Sequence, residues 1–193
     1  NQAFLNEGGS KKGAWSCKNW LKGEDIMIIG PGKSTKKYNS AIINYINAKK
    51  PKVISLNINK TIPPDCIDAY AACHHMRVMM DVSKYSELEK PLIIPMETID
   101  PTFKAQLQKI NILDYGLQVK EDNFEFTYNG CVIPKPLVFL YTLALVHSSG
   151  ANRVLLVGFD GYSQSDPRQI EMDQVISKYK EQDNIKRNKC RFF

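Results

Sequence analysis

Short apolar runs that end in glycine or polar residues, alternating with stretches at helical spacing, constrain this chain more than any other feature. "IMIIG" (26–30) reads as a buried strand, and "STKKYNSAIINYINAKK" (34–50) follows with Tyr38, Ile42, Tyr45 and Ile46 at helical spacing. Pro51 stops that helix, and "KVISLNIN" (52–59) is a second strand ending in polar residues. "CIDAYAAC" and "PLIIPM" are further short strands, while "RVMMDVSKY" (77–85) is compatible with strand or helix. "TFKAQLQKI" reads as a helix. "ILDYGLQV" and "FEFTYNGCVI", separated by "KEDN", predict a hairpin or paired edge strands inserted in the alternation. "KPLVFLYTLALVHSSG" is an almost wholly apolar helix, with Pro136 suited to its first turn and Gly150 to its C-terminal cap. "RVLLVGFDGY" is a last strand, and "DPRQIEMDQVISKYKEQ" an amphipathic helix with Asp166 as N-cap. Alternation of this kind predicts an α/β, Rossmann-like three-layer fold with a mainly parallel sheet and an inserted hairpin.

The expected organisation is an N-terminal arm or linker over 1–23, one domain over 24–184 and a basic tail over 185–193. At 193 residues the chain is long enough for one domain with a real core. No apolar run reaches the roughly 18–20 residues of a membrane span, and "NQAFLNEGGSKKGAW" lacks the pattern of a signal peptide. The five cysteines, Cys17, Cys66, Cys73, Cys131 and Cys190, contain no C-x-x-C pair and read as free thiols of a cytoplasmic protein. Of the net charge of +6, four charges are Lys186, Arg187, Lys189 and Arg191; taking those four away leaves +2. The body is therefore no basic nucleic-acid platform, and nucleic acid is not the expected partner.

"GPGKS" (30–34) imitates a phosphate loop. That loop needs a glycine five residues before Gly32, and position 27 is Met27. A glycine turn entering a helix can still receive a phosphate or ribose, or can simply let strand and helix pack closely. In parallel sheets ligands sit beyond the carboxyl ends of the strands. This rule selects Gly30, Pro31, Gly32, Asn57 and Asn59, then His74 and Arg77 in "CHHMR", then Gly158, Asp160 and Tyr162. Asn57 and Asn59 share a face if the strand persists and are separated if a turn follows Asn57. Their amides suit a base edge or a ribose, or they bond the local backbone. Arg77, with a histidine, can neutralise a phosphate or carboxylate, or can pair with a nearby acid. Asp160 can bind a sugar hydroxyl or a metal, or can cap a helix. His147 reads as a packed histidine near a helix C-terminus. No metal site is expected from the adjacent His74 and His75, and no cofactor is expected.

Taken together, "IIGPGKS", "VISLN" and the Pro-led apolar helix running into "RVLLVGFDGY" resemble bacterial sialyltransferase-like proteins and hydroxymethylpterin diphosphokinase-like proteins. "GPGKS", "ACH" followed by an arginine, and "GFDGY" before a "DPRQIEM"-type helix also resemble a domain found behind aldolases of the hydroxymethylglutaryl-CoA-lyase type, encoded among genes for surface polysaccharides. The resemblance covers about residues 25–183. It implies a nucleotide- or CMP-sugar-binding domain, a candidate glycosyltransferase-like transferase, in bacterial surface glycan biosynthesis. Gly30, Pro31, Gly32, Ser34, Asn57 and Asn59 would be its nucleotide side, and His74, Arg77, Gly158, Asp160 and Tyr162 its substrate side. The alternative is a non-catalytic accessory domain associated with an aldolase domain or protein. The sialyltransferases carry a catalytic lid histidine after their last motif; no histidine follows His147 here, so no catalytic residue is assigned.

Overall fold

The computed structural model describes residues 12–121, 123–161, 163 and 165–181. Six strands, β1 (Asp25–Ile29), β2 (Lys52–Leu56), β3 (Ala69–Ala71), β4 (Leu92–Ile94), β5 (Ile112–Asp114) and β9 (Arg153–Val157), form one sheet in the order β5-β4-β3-β2-β1-β9. Every pairing in it is parallel. A smaller sheet, in the order β6-β8-β7, joins β6 (Gly116–Val119), β7 (Glu125–Phe126) and β8 (Gly130–Ile133).

Parallel strands buried on both faces read as continuous apolar runs, and period-two alternation then divides them between two cores. Ile26, Ile28, Ile54, Leu56, Ala69, Ala71 and Ile93 face one side. There they meet α6 (Val138–Ser148), the small sheet, and Met172, Ile176 and Tyr179 of α7 (Pro167–Glu181). Met27, Ile29, Val53, Tyr70, Leu92 and Ile94 face the other side. Against them pack Ile42 and Ile46 of α2 (Asn39–Lys49), Val78 of α3 (His75–Met80) and Tyr85 of α4 (Val82–Leu88). Three layers result, in a Rossmann-like α/β arrangement. Helix α6 is sandwiched between the two sheets, so its residues 139–146 are all buried and it can be apolar all round. Gly150, at φ +84, follows its last turn. The helix begins at Val138, two residues past Pro136, with Leu137 as its N-cap, so Pro136 lies just ahead of the first turn.

Several elements depart from the expected pattern. The stretch 34–50 is two helices, α1 (Lys33–Lys37) and α2, broken at Tyr38. "RVMMDVSKY" resolves to helix, α3 and α4 meeting at Asp81. "TFKAQLQKI" gives only one α-turn, α5 (Pro101–Lys104), continuing as a 3-10 turn over Ala105–Leu107. "ILDYGLQV" splits at Tyr115: β5 joins the main sheet and β6 the small one. The inserted hairpin lies wholly inside "FEFTYNGCVI", as antiparallel β7 and β8, and β6 runs parallel to β8.

Of residues 1–23, read as an arm or linker, 1–11 lie outside the described residues and 12–23 are bound into the molecule as a strap. Gly13 and Cys17 donate backbone hydrogen bonds to Asn129 and Tyr128, and Trp15 donates to the Asp114 carbonyl. Cys17 and Leu21 lie in the core. A β-carbon on Gly13 would meet the Gly116 nitrogen at 2.6 Å, so this crossing needs both glycines. The tail expected over 185–193 and Cys190 lie outside the described residues.

Candidate functional site

Along the carboxyl edge of the main sheet, β1 is where the chain reverses direction. Strands β2 to β5 are laid successively on one side of it, and β9 is added on the other. In open α/β sheets a ligand crevice forms at such a switch point. Here the edge is divided into a sealed part over β9 and β1 and an open part over β1 to β3.

The sealed part is made of the two glycine turns. Gly30 N donates to the Val157 carbonyl at 2.7 Å and Gly32 N to the Gly158 carbonyl at 2.8 Å. A β-carbon on Gly30 would lie 2.6 Å from the Gly158 oxygen, and one on Gly32 would lie 2.5 Å from it. Gly158 itself is at φ +77, and a β-carbon there would meet the Gly30 oxygen at 2.6 Å as well as the Thr35 hydroxyl. The close approach of two backbones therefore accounts for all three glycines. Thr35, buried and donating to the Gly30 carbonyl at 3.3 Å, completes the joint. No sequence signal singled it out.

Across this joint Asp160 reaches the start of α1. Ser34 N donates to Asp160 Oδ2 at 2.8 Å, and the Ser34 hydroxyl donates to Oδ1. These bonds, the Ser34 hydroxyl foremost, then the backbone N–H groups of Ser34 and Lys33 and the Lys33 charge, hold the Asp160 carboxyl below its ordinary value of 3.8. The helix-capping alternative for Asp160 is the arrangement present. Its carboxylate stands where an incoming anion would otherwise meet the α1 N–H groups.

The open part begins at Asn57. Strand β2 ends at Leu56, so Asn57 and Asn59 do not share a strand face. Asn57 adopts the left-handed conformation at φ +57. Its N–H donates to the Ala71 carbonyl at 2.9 Å, and its carbonyl accepts from Ser55 Oγ at 2.9 Å. Held at both backbone groups, the half-buried Asn57 presents an amide that bonds no described residue. Asn59 is different. Its Nδ2 donates to the Gly30 carbonyl at 3.4 Å, and its Oδ1 accepts from Thr61 N at 2.7 Å and Ile62 N at 3.3 Å. The backbone-bonding alternative thus holds for Asn59, which braces the β2 loop against the first glycine turn, and not for Asn57.

One strand further, His74 is the N-cap of α3, its carbonyl accepting from Arg77 N and Val78 N at 3.0 and 3.1 Å. His74 and Arg77 are exposed on this edge, and no described acid forms an ion pair with Arg77. His75 turns away: its Nδ1 accepts from Asp100 N at 3.5 Å and its ring lies 5.6 Å from that of Phe103. Pro31 is exposed at the tip of the first turn, and Tyr162 lies outside the described residues. The structure thus brings Gly30, Gly32, Ser34, Gly158 and Asp160 together as a joint, with Asn57, His74 and Arg77 along the open edge beside it.

No cluster of three or more His, Cys, Asp or Glu side chains suited to a metal occurs among the described residues. Cys17, Cys73 and Cys131 are buried thiols, and burial pushes those of Cys17 and Cys73 up to about 12. His147 is packed beside Phe126 at 5.6 Å between ring centres, and burial lowers its pKa. A depression of about 270 Å³ lies at the opposite end of the sheet, lined by Lys50, Lys52, Asp65, Cys66 and Asp68. The Lys52–Asp68 ion pair at 3.4 Å spans part of it, and it contains none of the strand-end residues. No protein-family model matches the chain, and comparison with curated proteins finds no match.

Proposed function

We propose that the open carboxyl edge over β1 to β3 binds a nucleotide, with a CMP-type nucleotide-sugar as the favoured ligand. The observation that carries this reading is the Asn57 amide. A non-glycine residue with a positive φ costs free energy, less for asparagine than for most residues, and here both backbone groups are spent on holding it. The side chain so positioned has a donor and an acceptor left for a ligand. A base edge or a ribose fits that pair of functions. Arg77, exposed on the neighbouring loop-helix, supplies the cation that a phosphate or an acidic sugar needs. The phosphate would lie toward Arg77, because Asp160 occupies the α1 N–H groups.

The resemblance to sialyltransferase-like proteins is what favours a cytidine nucleotide, and surface glycan assembly is the setting it brings. A second reading, an accessory domain of an aldolase with no turnover of its own, is favoured by the closed joint between β1 and β9. The Ser34–Asp160 bonds fill the place where the crevice of such a sheet usually opens.

Calorimetric titration with CMP, with CDP, GTP and ATP as comparators, tests the proposal on the parent chain and on Asn57→Gly and Arg77→Ala. Glycine at position 57 keeps the left-handed backbone while removing the amide. Selective CMP binding, weakened about tenfold by either change, is the expected result. Equal binding by parent and variants would place the ligand elsewhere. No binding of any nucleotide would overturn the proposal in favour of the accessory reading.

A further inference from the structure

The edge that carries Asn57 has a second property. Each of its first and third strands is followed by a short helix on the rim and then, after a break at Tyr38 or Asp81, by a longer one. The two short helices, α1 and α3, flank the 57–62 loop. That loop is tied to both neighbours by Asn59 on the Gly30 carbonyl, Asn39 on the Thr61 carbonyl, and Asn57 N on the Ala71 carbonyl. Adjacent strands stand about 4.8 Å apart, so the two short helices rise from strand ends about 10 Å apart.

This rim presents Lys33, Lys36 and Lys37 from α1, Lys60 from the loop and Arg77 from α3, all exposed. Two acids adjoin it: Asp160, a charged carboxylate hydrogen-bonded by Ser34, and Asp81, paired with Lys84. Glu97 follows β4, and Asp100, which caps α5 through Thr102 N, lies against the start of α3, its N–H donating to His75 Nδ1 at 3.5 Å. Five large apolar side chains are exposed among the described residues, and three of them, Tyr38, Met76 and Met80, stand on this same rim. Met80 is 71% exposed. Met76 and Met80 are one turn apart on α3, and Lys37 lies over the Tyr38 ring at 4.9 Å.

We propose that this rim is a docking surface for an anionic phospholipid bilayer. The positive charge answers a negative leaflet, each lysine or arginine near it strengthening binding by about fivefold. The methionines and the tyrosine can enter the boundary between headgroups and acyl chains, where flexible apolar and amphipathic side chains are favourable. A nucleic-acid strand would instead call for a set of stacking rings, and Tyr38 is the single aromatic among the rim residues named here. The proposal shares Arg77 with the nucleotide reading but does not rest on it, since Lys36, Lys37, Met76 and Met80, the residues the test changes, are not assigned to the ligand.

The test is co-sedimentation of the full chain with vesicles of phosphatidylcholine, alone or containing about one-third phosphatidylglycerol. Three paired variants are compared with the parent: Lys36→Glu with Lys37→Glu, Met76→Ser with Met80→Ser, and, as a charge control at the far end of α2, Lys49→Glu with Lys50→Glu. The expected result is binding to the anionic vesicles alone, weakened at least about tenfold by the first pair, clearly by the second and least by the control. Absence of binding to anionic vesicles overturns the proposal. So does binding that both rim pairs leave intact, which would assign it to another segment such as the basic tail. So does binding lowered by lysine changes at either end and untouched by the methionine changes, which would make the contact one of bulk charge.

Discussion

The two halves of the carboxyl edge use the same kinds of residue to opposite ends. Over β9 and β1, polar groups and glycines are consumed by one another: Ser34 by Asp160, and Gly30 and Gly32 by Gly158. Over β2 and β3, the amide of a strained asparagine bonds no described residue and an exposed arginine forms no ion pair with a described acid. A glycine-rich strand end is therefore ambiguous evidence for a ligand. What distinguishes the two regions is whether the space a side chain would fill is already filled by backbone.

The largest expected effect falls on the closed half. Gly158→Ala combines a positive φ with contact on the Gly30 oxygen and the Thr35 hydroxyl, and should destabilise the fold by about 3 kcal/mol or more in urea unfolding. A loss below about 1 kcal/mol would show that the joint yields easily, and would blur the comparison. Gly32→Ala should cost somewhat less, about 2 kcal/mol, because the Asp160 side chain can move although the Gly158 carbonyl cannot. On the open half the pattern should invert. Asn57→Gly is expected to leave stability within about 0.5 kcal/mol of the parent, or to raise it, while abolishing most nucleotide affinity.

Acid titration sharpens the contrast further. The folded Asp160 carboxyl lies below its unfolded value, so its contribution is complete above about pH 3.8 and is lost as pH falls through the lower folded value. Melting temperatures of the parent and Asp160→Asn should therefore differ most above that pH and converge below it. A difference that persists at the acid end would mean that the carboxylate charge is not what the Ser34 and Lys33 groups hold. His147 works in a separate window. Its folded pKa is lowered, so its unfolded form gains a proton first, and stability declines as pH drops below about 6.5. Replacing it by phenylalanine should flatten that decline without touching the Asp160 window. The smallest effect is expected at Met80, where serine should change the melting free energy by no more than about 0.5 kcal/mol.

The sheet was legible because strands buried on both faces are apolar along their length, as Ile26–Ile29 and Leu92–Ile94 are, and as Val53–Leu56 is apart from the buried Ser55. The helical character of 77–85 was also written in the chain: Val78, Val82 and Tyr85 recur at four and three residues, and all three pack in one core. Short apolar runs between them hide that period. The split of 112–119 at Tyr115 has no local signal, since it answers to distant partners, whereas the break at Tyr38 falls between local bonds to Ser34 and Ile42 that helical spacing does not reveal. Tyr115 donates its hydroxyl to the Thr127 carbonyl, and Gly116 makes room for Gly13. The same holds at the site. "GPGKS" and "GFDGY" are visible separately, but that they fill each other's space depends on β9 lying beside β1, which composition and spacing do not reveal.

That adjacency also has a bearing on how the chain acquires its fold. Asp25 pairs with Arg153 and Ile29 with Val157, so β1 waits for a partner encoded far along the chain. The strap imposes a similar delay, with Trp15 bonded to Asp114 and Leu21 to Ser149. Pairings this remote close large loops before they return any contact energy, which slows folding. During synthesis on a ribosome, the strands through β5 can assemble first, leaving one edge of β1 unpaired until β9 emerges. An apolar edge open for that interval is where a nascent chain meets a chaperone or a second copy of itself.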